Sequence, residues 1–134
     1  MPQLNTIMDH TYPKKEKLKK KKHLDLLFSE GRTVTKYPLR LVFVPVAEAD
    51  VPLQMGVSVS KKYFKKAVDR NYFKRVLREC YRLNKRLILN DLQEPHAIMF
   101  FYQTKERLEF KEIESRTKQL FQKFIALNNK KSSS

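Results

Sequence analysis

Apolar residues recur at helical spacing in three segments of the chain. A pattern of i, i+3 and i+4 predicts a first helix over Lys21–Glu30, and Gly31 would then supply the positive φ that ends many helices. Longer apolar stripes predict a second helix over residues 66–89 and a third over residues 110–127. The stripe of the third helix is assigned to the core, and its members are Ile113, Leu120, Phe121, Phe124 and Ile125.

Three further segments have the patterns of β-strands. Residues 37–46 and 54–60 alternate between two faces, and the short polar link between them predicts that they pair as antiparallel neighbours. Residues 96–103 are apolar on both faces, which is typical of a buried central strand. The order of these elements indicates an α+β fold in which a small mixed sheet packs with three helices.

The two ends of the chain lack such patterns. Residues 1–13 are expected to form a flexible N-terminal arm and residues 128–134 a disordered tail, which leaves residues 14–127 as one domain. Within that domain, residues 14–22 read KKEKLKKKK. This lysine run is either a solvated flexible segment or a site that binds phosphate groups.

The charge of the chain requires a partner. Its formal net charge is +15 and its pI is near 10.0, and a basic excess of this size repels itself unless a polyanion neutralises it. A nucleic acid is the favoured partner, and an anionic membrane surface is the second candidate. The sequence contains neither an apolar run of about 18 residues nor a secretory signal pattern, so we expect a soluble, cytoplasmic protein.

The residues expected of an independent enzyme are missing. Two glycines cannot build a glycine-rich phosphate loop, and no clustered carboxylate pair is present. The single cysteine, Cys80, cannot form an internal disulfide and is assigned to the core. His10, His23 and His96 are scattered without the spacing of zinc ligands, so we expect no metal site on the protein.

The segment 66–89 places apolar and basic residues on opposite helical faces. Eight basic residues between Lys66 and Arg86 are opposed only by Asp69 and Glu79. Like charges four residues apart cost a few tenths of a kcal/mol each, so a face kept only for solubility would mix its signs. The core face contains Phe73, Val76, Leu77, Cys80, Asn84 and Leu87, and the basic face contains Asn71, Lys74, Arg75, Arg78, Arg82 and Lys85.

The chemistry of the basic face suits a phosphate backbone. Arginine forks hold two phosphate oxygens at once, and Lys61, Lys62 and Lys66 stand where the preceding strand leads into the helix. The positive end of the helix dipole would add to the same anion site.

A family resemblance follows from the residues of this region. The pattern comprises Ser58-Val59-Ser60-Lys61-Lys62, Ala67-Val68, Arg70-Asn71, Lys74-Arg75, Arg78-Glu79 and Arg82-Leu83-Asn84. It resembles the signature, often called the RNR motif, of the bacterial ribonuclease P protein component. The resemblance extends more weakly over about residues 14–127.

The resemblance implies both a fold and a role. The fold would be a small α+β domain like the second domain of ribosomal protein S5, with a left-handed βαβ crossover. The protein would bind a catalytic RNA, one to one, and help that RNA remove the 5′ leader from precursor tRNA. Magnesium ions would be held mainly by the RNA, so the protein would contribute no catalytic residue.

The resemblance also implies which residues contact RNA. The positions that would bind the catalytic RNA are Lys61, Lys62, Lys66, Arg70, Asn71, Lys74, Arg75 and Arg78, and Arg82 extends the same stripe. In the family, a cleft between the first helix and the sheet holds the single-stranded leader. Its candidate lining residues here are Phe28, Tyr37, Arg40, Phe43, Ser58 and Ser60, of which Phe28 and Phe43 could equally be core residues.

Two positions depart from the family pattern. Leu24 occupies a position that is often phenylalanine, which removes one stacking platform from the expected cleft. Tyr72 occupies the third motif position, which is usually basic, and it falls at the edge of the core face. Tyr72 either packs half-buried or meets RNA by stacking or through its hydroxyl.

The same residues are also compatible with a different class of function. A ribosomal or DNA-binding module could use the basic helix for recognition. A DNA-reading helix normally follows another helix across a short turn, whereas here a strand leads directly into it. This order favours the ribonucleoprotein subunit.

Overall fold

The computed structural model describes residues 12–47 and 49–133, and it confirms an α+β fold with a small mixed sheet. A short 3-10 turn, Lys14–Glu16, precedes the first helix. The helices are α1 (Lys21–Glu30), α2 (Ala67–Asn84), α3 (Arg86–Leu89) and α4 (Phe110–Ser133). The strands are β1 (Arg32–Lys36), β2 (Leu39–Pro45), β3 (Leu53–Val59) and β4 (His96–Tyr102).

The sheet has the strand order β1-β2-β4-β3. Strand β2 pairs antiparallel with both β1 and β4, whereas β3 pairs parallel with β4 across a crossover that contains α2. The prediction that residues 37–46 and 54–60 are neighbours is therefore wrong. The strand that is apolar on both faces lies between them because a central position buries both of its faces.

Strand β1 was absent from the sequence prediction. Its five residues, RTVTK, alternate in exposure and pair with β2 at one edge of the sheet. Threonine and valine favour strands, but a polar segment this short has no apolar face of its own and depends on the pairing with β2.

The sheet has one closed face and one open face. On the closed face, α2 and α4 cover a core to which β2 and β4 contribute Leu41, Phe43, Ile98 and Phe100, all essentially inaccessible to solvent. On the open face, α1 packs on the sheet through Leu27 against one end of β2 and β4, and Leu18 from the segment before it joins the same apolar cluster. The rest of the open face remains accessible.

The lysine run lies along the outer edge of β3. The backbone N–H of Leu18 donates to the Met55 carbonyl at 3.1 Å, and the Tyr12 hydroxyl donates to the same oxygen at 2.6 Å. The Glu16 carboxylate accepts hydrogen bonds from Tyr81 Oη at 2.7 Å and from Lys85 Nζ at 2.9 Å. Residues 12–20 are therefore held in place, whereas the rest of the expected N-terminal arm lies outside the described residues.

The long helix predicted over residues 66–89 is divided at Lys85. The Asn84 side chain donates to the Cys80 carbonyl at 2.8 Å and to Glu114 at 3.2 Å, and the chain then turns into α3. Lys85, which the helical wheel places on the basic face, is 2% exposed and pairs with Glu16. A buried ammonium needs a carboxylate partner, and Glu16 in the 3-10 turn supplies it.

The ends of two other helices also differ from prediction. Helix α4 continues to Ser133, past the predicted end at residue 127, because residues 128–133 contain neither glycine nor proline. Gly31 ends α1 with a φ of −65°, so it is not kept for a positive φ. A Cβ at Gly31 would lie 2.6 Å from Val42 Cγ1 and would also collide with the Leu27 carbonyl.

None of the helices in the described part of the chain has the length and apolar character needed to cross a membrane.

Candidate nucleic-acid interface

Helix α2 is fastened to the closed face through one side. Phe73 stacks between Phe64 and Tyr102, with ring centroids 4.7 and 4.6 Å away, and Leu77 and Cys80 are fully buried below it. Burial raises the pKa of the Cys80 thiol to about 12, as expected of a core residue rather than a nucleophile. The opposite side of α2 is thereby held toward solvent.

The side of α2 that faces solvent carries cations and an amide. Asn71, Arg75 and Arg78 are exposed and Lys74 is half-buried, and we call these four residues the α2 basic face. The loop before α2 adds exposed Lys61, Lys62 and Lys66 at the N-terminal end of the helix. In the described structure no side chain caps that end, so the first N–H groups of α2 are available to an anion that binds beside these lysines.

Two arginines predicted to contact RNA are engaged within the protein. Arg70 Nη1 donates to the carbonyl oxygens of Phe64 and Lys65, at 3.0 and 2.7 Å, and so holds the loop that leads into α2. Arg82 pairs with Glu79, with 3.0 Å between Nε and Oε2, and this hydrogen bonding lowers the pKa of the Glu79 carboxyl. The cationic density available to a ligand is therefore greatest at Lys74, Arg75 and Arg78.

The open face of the sheet contains a groove of about 380 Å³, which we call the open-face groove. The Arg40 guanidinium lies 5.3 Å from the centre of the Phe101 ring, so the two form a flat cationic and aromatic surface. Phe28 stands at the end of α1 with 80% of its surface exposed. The lining residues are Leu27, Phe28, Gly31, Thr33, Arg40, Val42, Met99 and Phe101.

A second cavity of about 670 Å³ lies at the β3 edge, and we call it the edge cavity. Lys17, Lys19 and Arg78 contribute positive charge to its lining, and Met99 lines both this cavity and the open-face groove. Because Arg78 belongs to the α2 basic face, the groove, the edge cavity and α2 form one continuous surface.

Among the described residues, no three His, Cys, Asp or Glu side chains lie close enough together to hold a metal ion.

Comparison with known proteins identifies the family. The family model for ribonuclease P matches residues 12–125, which is most of the chain. The chain belongs to the ribonuclease P protein family. Membership makes it a protein subunit of ribonuclease P, and it therefore takes part in tRNA processing.

Individual relatives agree with this assignment. The ribonuclease P protein component of Porphyromonas gingivalis strain W83 is 40% identical over 105 residues, which cover 75% of this chain and 77% of that protein. The ribonuclease P protein of Thermotoga maritima superimposes with a TM-score of 0.66 at 25% identity, covering 81% of this chain and 96% of that one. The Staphylococcus aureus ribonuclease P protein superimposes with a TM-score of 0.65 at 23% identity, covering 78% of this chain and 91% of that one. This likeness supports the fold alone.

The residues assigned to a leader cleft by the resemblance to ribonuclease P proteins do not all lie at one site. Phe28 and Arg40 line the open-face groove. Ser58 continues the row, because it pairs with Phe101, which in turn pairs with Arg40 across the sheet. Ser60 lies just beyond β3, where its hydroxyl accepts a hydrogen bond from the Lys62 N–H at 3.0 Å.

Two of those residues lie elsewhere. Phe43 is 1% exposed and packs in the closed-face core, 4.5 Å from the ring of Phe124, so it cannot contact a ligand in the groove. Tyr37 lies in the turn between β1 and β2, where its hydroxyl donates to Thr104 Oγ1 at 3.2 Å. Phe43 was misplaced because alternation along a strand does not tell which face is covered.

Sequence reasoning missed Phe101 and Met99 as groove residues. Both belong to β4, which was interpreted as buried on both faces, yet both are only half-buried. Once the register is known, both residues can be identified, because they point to the same side of the sheet as Arg40 and Ser58. Leu24, the departure from the usual phenylalanine, lines the edge cavity.

Proposed function

We propose that this ribonuclease P protein binds the catalytic RNA of the enzyme through the α2 basic face. The observation that carries the proposal is the rigid attachment of α2 by Phe73 and Leu77, which holds Arg75 and Arg78 toward solvent, while the neighbouring Glu79 carboxylate is engaged by Arg82. Arginine forks match the paired oxygens of phosphates, and Asn71 can both donate and accept.

The loop before α2 extends this surface. Lys61, Lys62 and Lys66 surround the N-terminal end of the helix, where the dipole and free N–H groups favour negative charge. Arg70 supports the contact indirectly by holding the Phe64 and Lys65 carbonyls of this loop. Arg82 stays paired with Glu79 and lies at the margin of the contact.

The second RNA is the 5′ leader of precursor tRNA, and the open-face groove is its binding site. A single strand presents unpaired bases, which stack on aromatic rings, and a phosphate backbone, which follows positive charge. Phe28 and Phe101 supply the rings and Arg40 supplies the charge, while Ser58 and Ser60 extend the polar floor.

The proposal also divides the labour between the protein and the RNA. The protein positions the leader and the catalytic RNA, and the RNA carries out the hydrolysis with Mg²⁺ bound mainly to its own phosphates. The protein works as a monomer in a one-to-one complex with that RNA, in the cytoplasm where precursor tRNA is made.

Reconstitution tests this function. Purified protein is added to its cognate ribonuclease P RNA at low Mg²⁺, and cleavage of precursor tRNA is followed. Stimulation of cleavage is expected with the wild type, and a smaller stimulation with Arg75→Ala. Lys111→Ala, which removes an exposed cation from α4, serves as the matched control. Cleavage by the protein alone would contradict the proposal, as would stimulation that Arg75→Ala leaves unchanged.

The salt dependence of RNA binding gives a second test. If about five phosphates are contacted, the logarithm of the affinity should fall with the logarithm of salt at a slope of roughly −3.5. A ribosomal or DNA-binding module would also show such a slope, but it would not stimulate cleavage of precursor tRNA. A slope near zero would remove the electrostatic basis of the proposal.

A further inference from the structure

A small hollow lies on the flank of α2 that faces the start of α4. Its volume is about 280 Å³, and Tyr72 and Arg75 form its walls while Val76 and Phe110 contribute apolar surface. Glu79 completes the lining. We call this site the Tyr72 hollow, and it is separate from both the open-face groove and the edge cavity.

We propose that the Tyr72 hollow receives one unpaired base of the catalytic RNA, which stacks on the Tyr72 ring. The inference rests on the proposed function, because it requires that α2 lie against RNA. It gives Tyr72 a specific task at the position where the resemblance leads one to expect a cation.

The Tyr72 ring is oriented before any ligand binds. It stands edge-on to Phe73, with ring centroids 4.9 Å apart and an interplanar angle of 87°. Phe73 is itself held in the core stack, so the Tyr72 ring has a fixed support. With 42% of its surface exposed, Tyr72 keeps an aromatic surface available for contact.

The surroundings of the ring fit a base better than a phosphate. Val76 and Phe110 give the hollow an apolar wall, and apolar contact suits the face of a flat heterocycle better than a phosphate. The Glu79 carboxylate repels a phosphate and can accept a hydrogen bond from an exocyclic amino group. Arg75 at the other wall then attracts the phosphate of the same nucleotide.

Charge complementarity identifies RNA as the occupant. Arg75 belongs both to the α2 basic face and to the lining of the hollow, so a polyanion that binds the α2 basic face reaches the edge of the hollow. Stacking on an aromatic side chain adds affinity without using another phosphate contact. This property separates the stacking role from a general electrostatic one.

Two substitutions of Tyr72 separate a stacking role from surface packing. Tyr72→Leu keeps the apolar bulk but removes the ring, and we expect catalytic-RNA affinity to fall about 5- to 150-fold with an unchanged salt slope. Tyr72→Phe should bind as the wild type does, because it retains the ring. Circular dichroism and denaturant unfolding establish that each variant is folded before binding is compared.

Tryptophan fluorescence reports the stack directly. The chain contains no tryptophan, so Tyr72→Trp introduces a single tryptophan, whose emission can be excited selectively, into the hollow. Its emission should be quenched when the catalytic RNA is added, whereas the emission of Gln122→Trp, at an exposed position of α4, should not change.

The outcomes distinguish this inference from the function on which it rests. If the wild type binds RNA with the expected salt slope but Tyr72→Leu binds equally well, the hollow takes no base and the proposed function stands. A loss of affinity with a shallower slope would also overturn the stacking role, because it would mean a lost phosphate contact. If the wild type shows no salt-dependent binding, the proposed function itself fails.

Discussion

The two faces of the β-sheet carry different kinds of side chain although they share the same strands. On β4, Phe100 and Tyr102 point into the closed face and are at most 1% exposed, while Met99 and Phe101 point into the open face and are half-buried. On β2 the same division separates Leu41 from Arg40. Neighbouring residues on one strand therefore have different roles, because one packs in the core and the next faces the groove.

The difference shows how a small chain combines stability with a large binding surface. The aromatic residues of the closed face pack under α2 and α4 and stabilise the fold there, so the other face needs only α1 to cover part of it. The open face can then keep Arg40, Ser58 and a glycine, Gly56, which contribute little to a core but leave room for a ligand. Changes on the two faces should consequently have different effects.

The largest effect is expected from Phe73→Ala on the closed-face side of α2. Removing a buried ring that stacks on Phe64 and Tyr102 should lower the free energy of unfolding by about 3–5 kcal/mol. Urea denaturation measures this change. Phe101→Ala on the open face is the matched control and should cost much less, so equal losses would contradict the division between the faces.

The second effect concerns Glu16, at the β3 edge where the faces meet. Glu16→Gln leaves the ammonium of Lys85 buried without its counter-charge and should destabilise the protein by about 3 kcal/mol. The control is Glu112→Gln, which breaks the more exposed pair with Arg116 and should cost no more than about 0.5 kcal/mol. Similar denaturation midpoints for the two variants would show that the Glu16–Lys85 pair is not effectively buried.

The third effect concerns binding in the open-face groove. Phe101→Ala should weaken the binding of precursor tRNA by about 1–3 kcal/mol, because it removes a stacking surface for a leader base. The affinity for tRNA without a leader should stay the same. Binding is measured with the reconstituted enzyme, and an equal loss for both RNAs would place the leader elsewhere.

The effect that is smallest at neutral pH is a loss of stability in alkaline solution that originates on the closed face. The Cys80 thiol has a pKa raised to about 12 by burial, whereas its ordinary value is 9.0. The unfolded chain thus loses this proton from about pH 9 while the folded protein retains it. This contribution to stability is complete below pH 9 and declines by about 1.4 kcal/mol per pH unit as the pH rises toward 12.

Tyr12 behaves in the same way between pH 10 and 12, because burial raises its pKa from 10.0 to about 12. Urea denaturation at a series of pH values measures the combined slope. Cys80→Ala should make that slope shallower above pH 9, whatever its cost at neutral pH. An unchanged slope would mean that the thiol is not kept protonated by the fold.

The elements of the fold could be predicted from the sequence more readily than their arrangement. Periodicity located α1 and α4, and β4 was identified as central, because these patterns are local. The order of the strands depends on pairing between distant segments, and β1 has too little apolar character to reveal itself. The position of β4 between β2 and β3 therefore required the structure.

The candidate site could be predicted only in part, because local patterns do not show how distant segments meet. The α2 basic face follows from a helical wheel, and the wheel is accurate where the helix is continuous. At Lys85 the helix breaks, and a lysine assigned to the solvent side enters the protein. On the strands, alternation grouped Arg40 with Val42 and Val44, but only the position of α1 shows that this is the open face.

The ion pair between Glu16 and Lys85 also constrains the order in which the molecule is completed. Its partners are separated by 69 residues, so the pair cannot exist until more than half of the chain has left the ribosome. Closing so long a loop is entropically costly, and such contacts form slowly compared with local helices. The first described residues to be synthesised are thus among the last to reach their folded positions. The wall of the edge cavity that they form is completed at the same late stage.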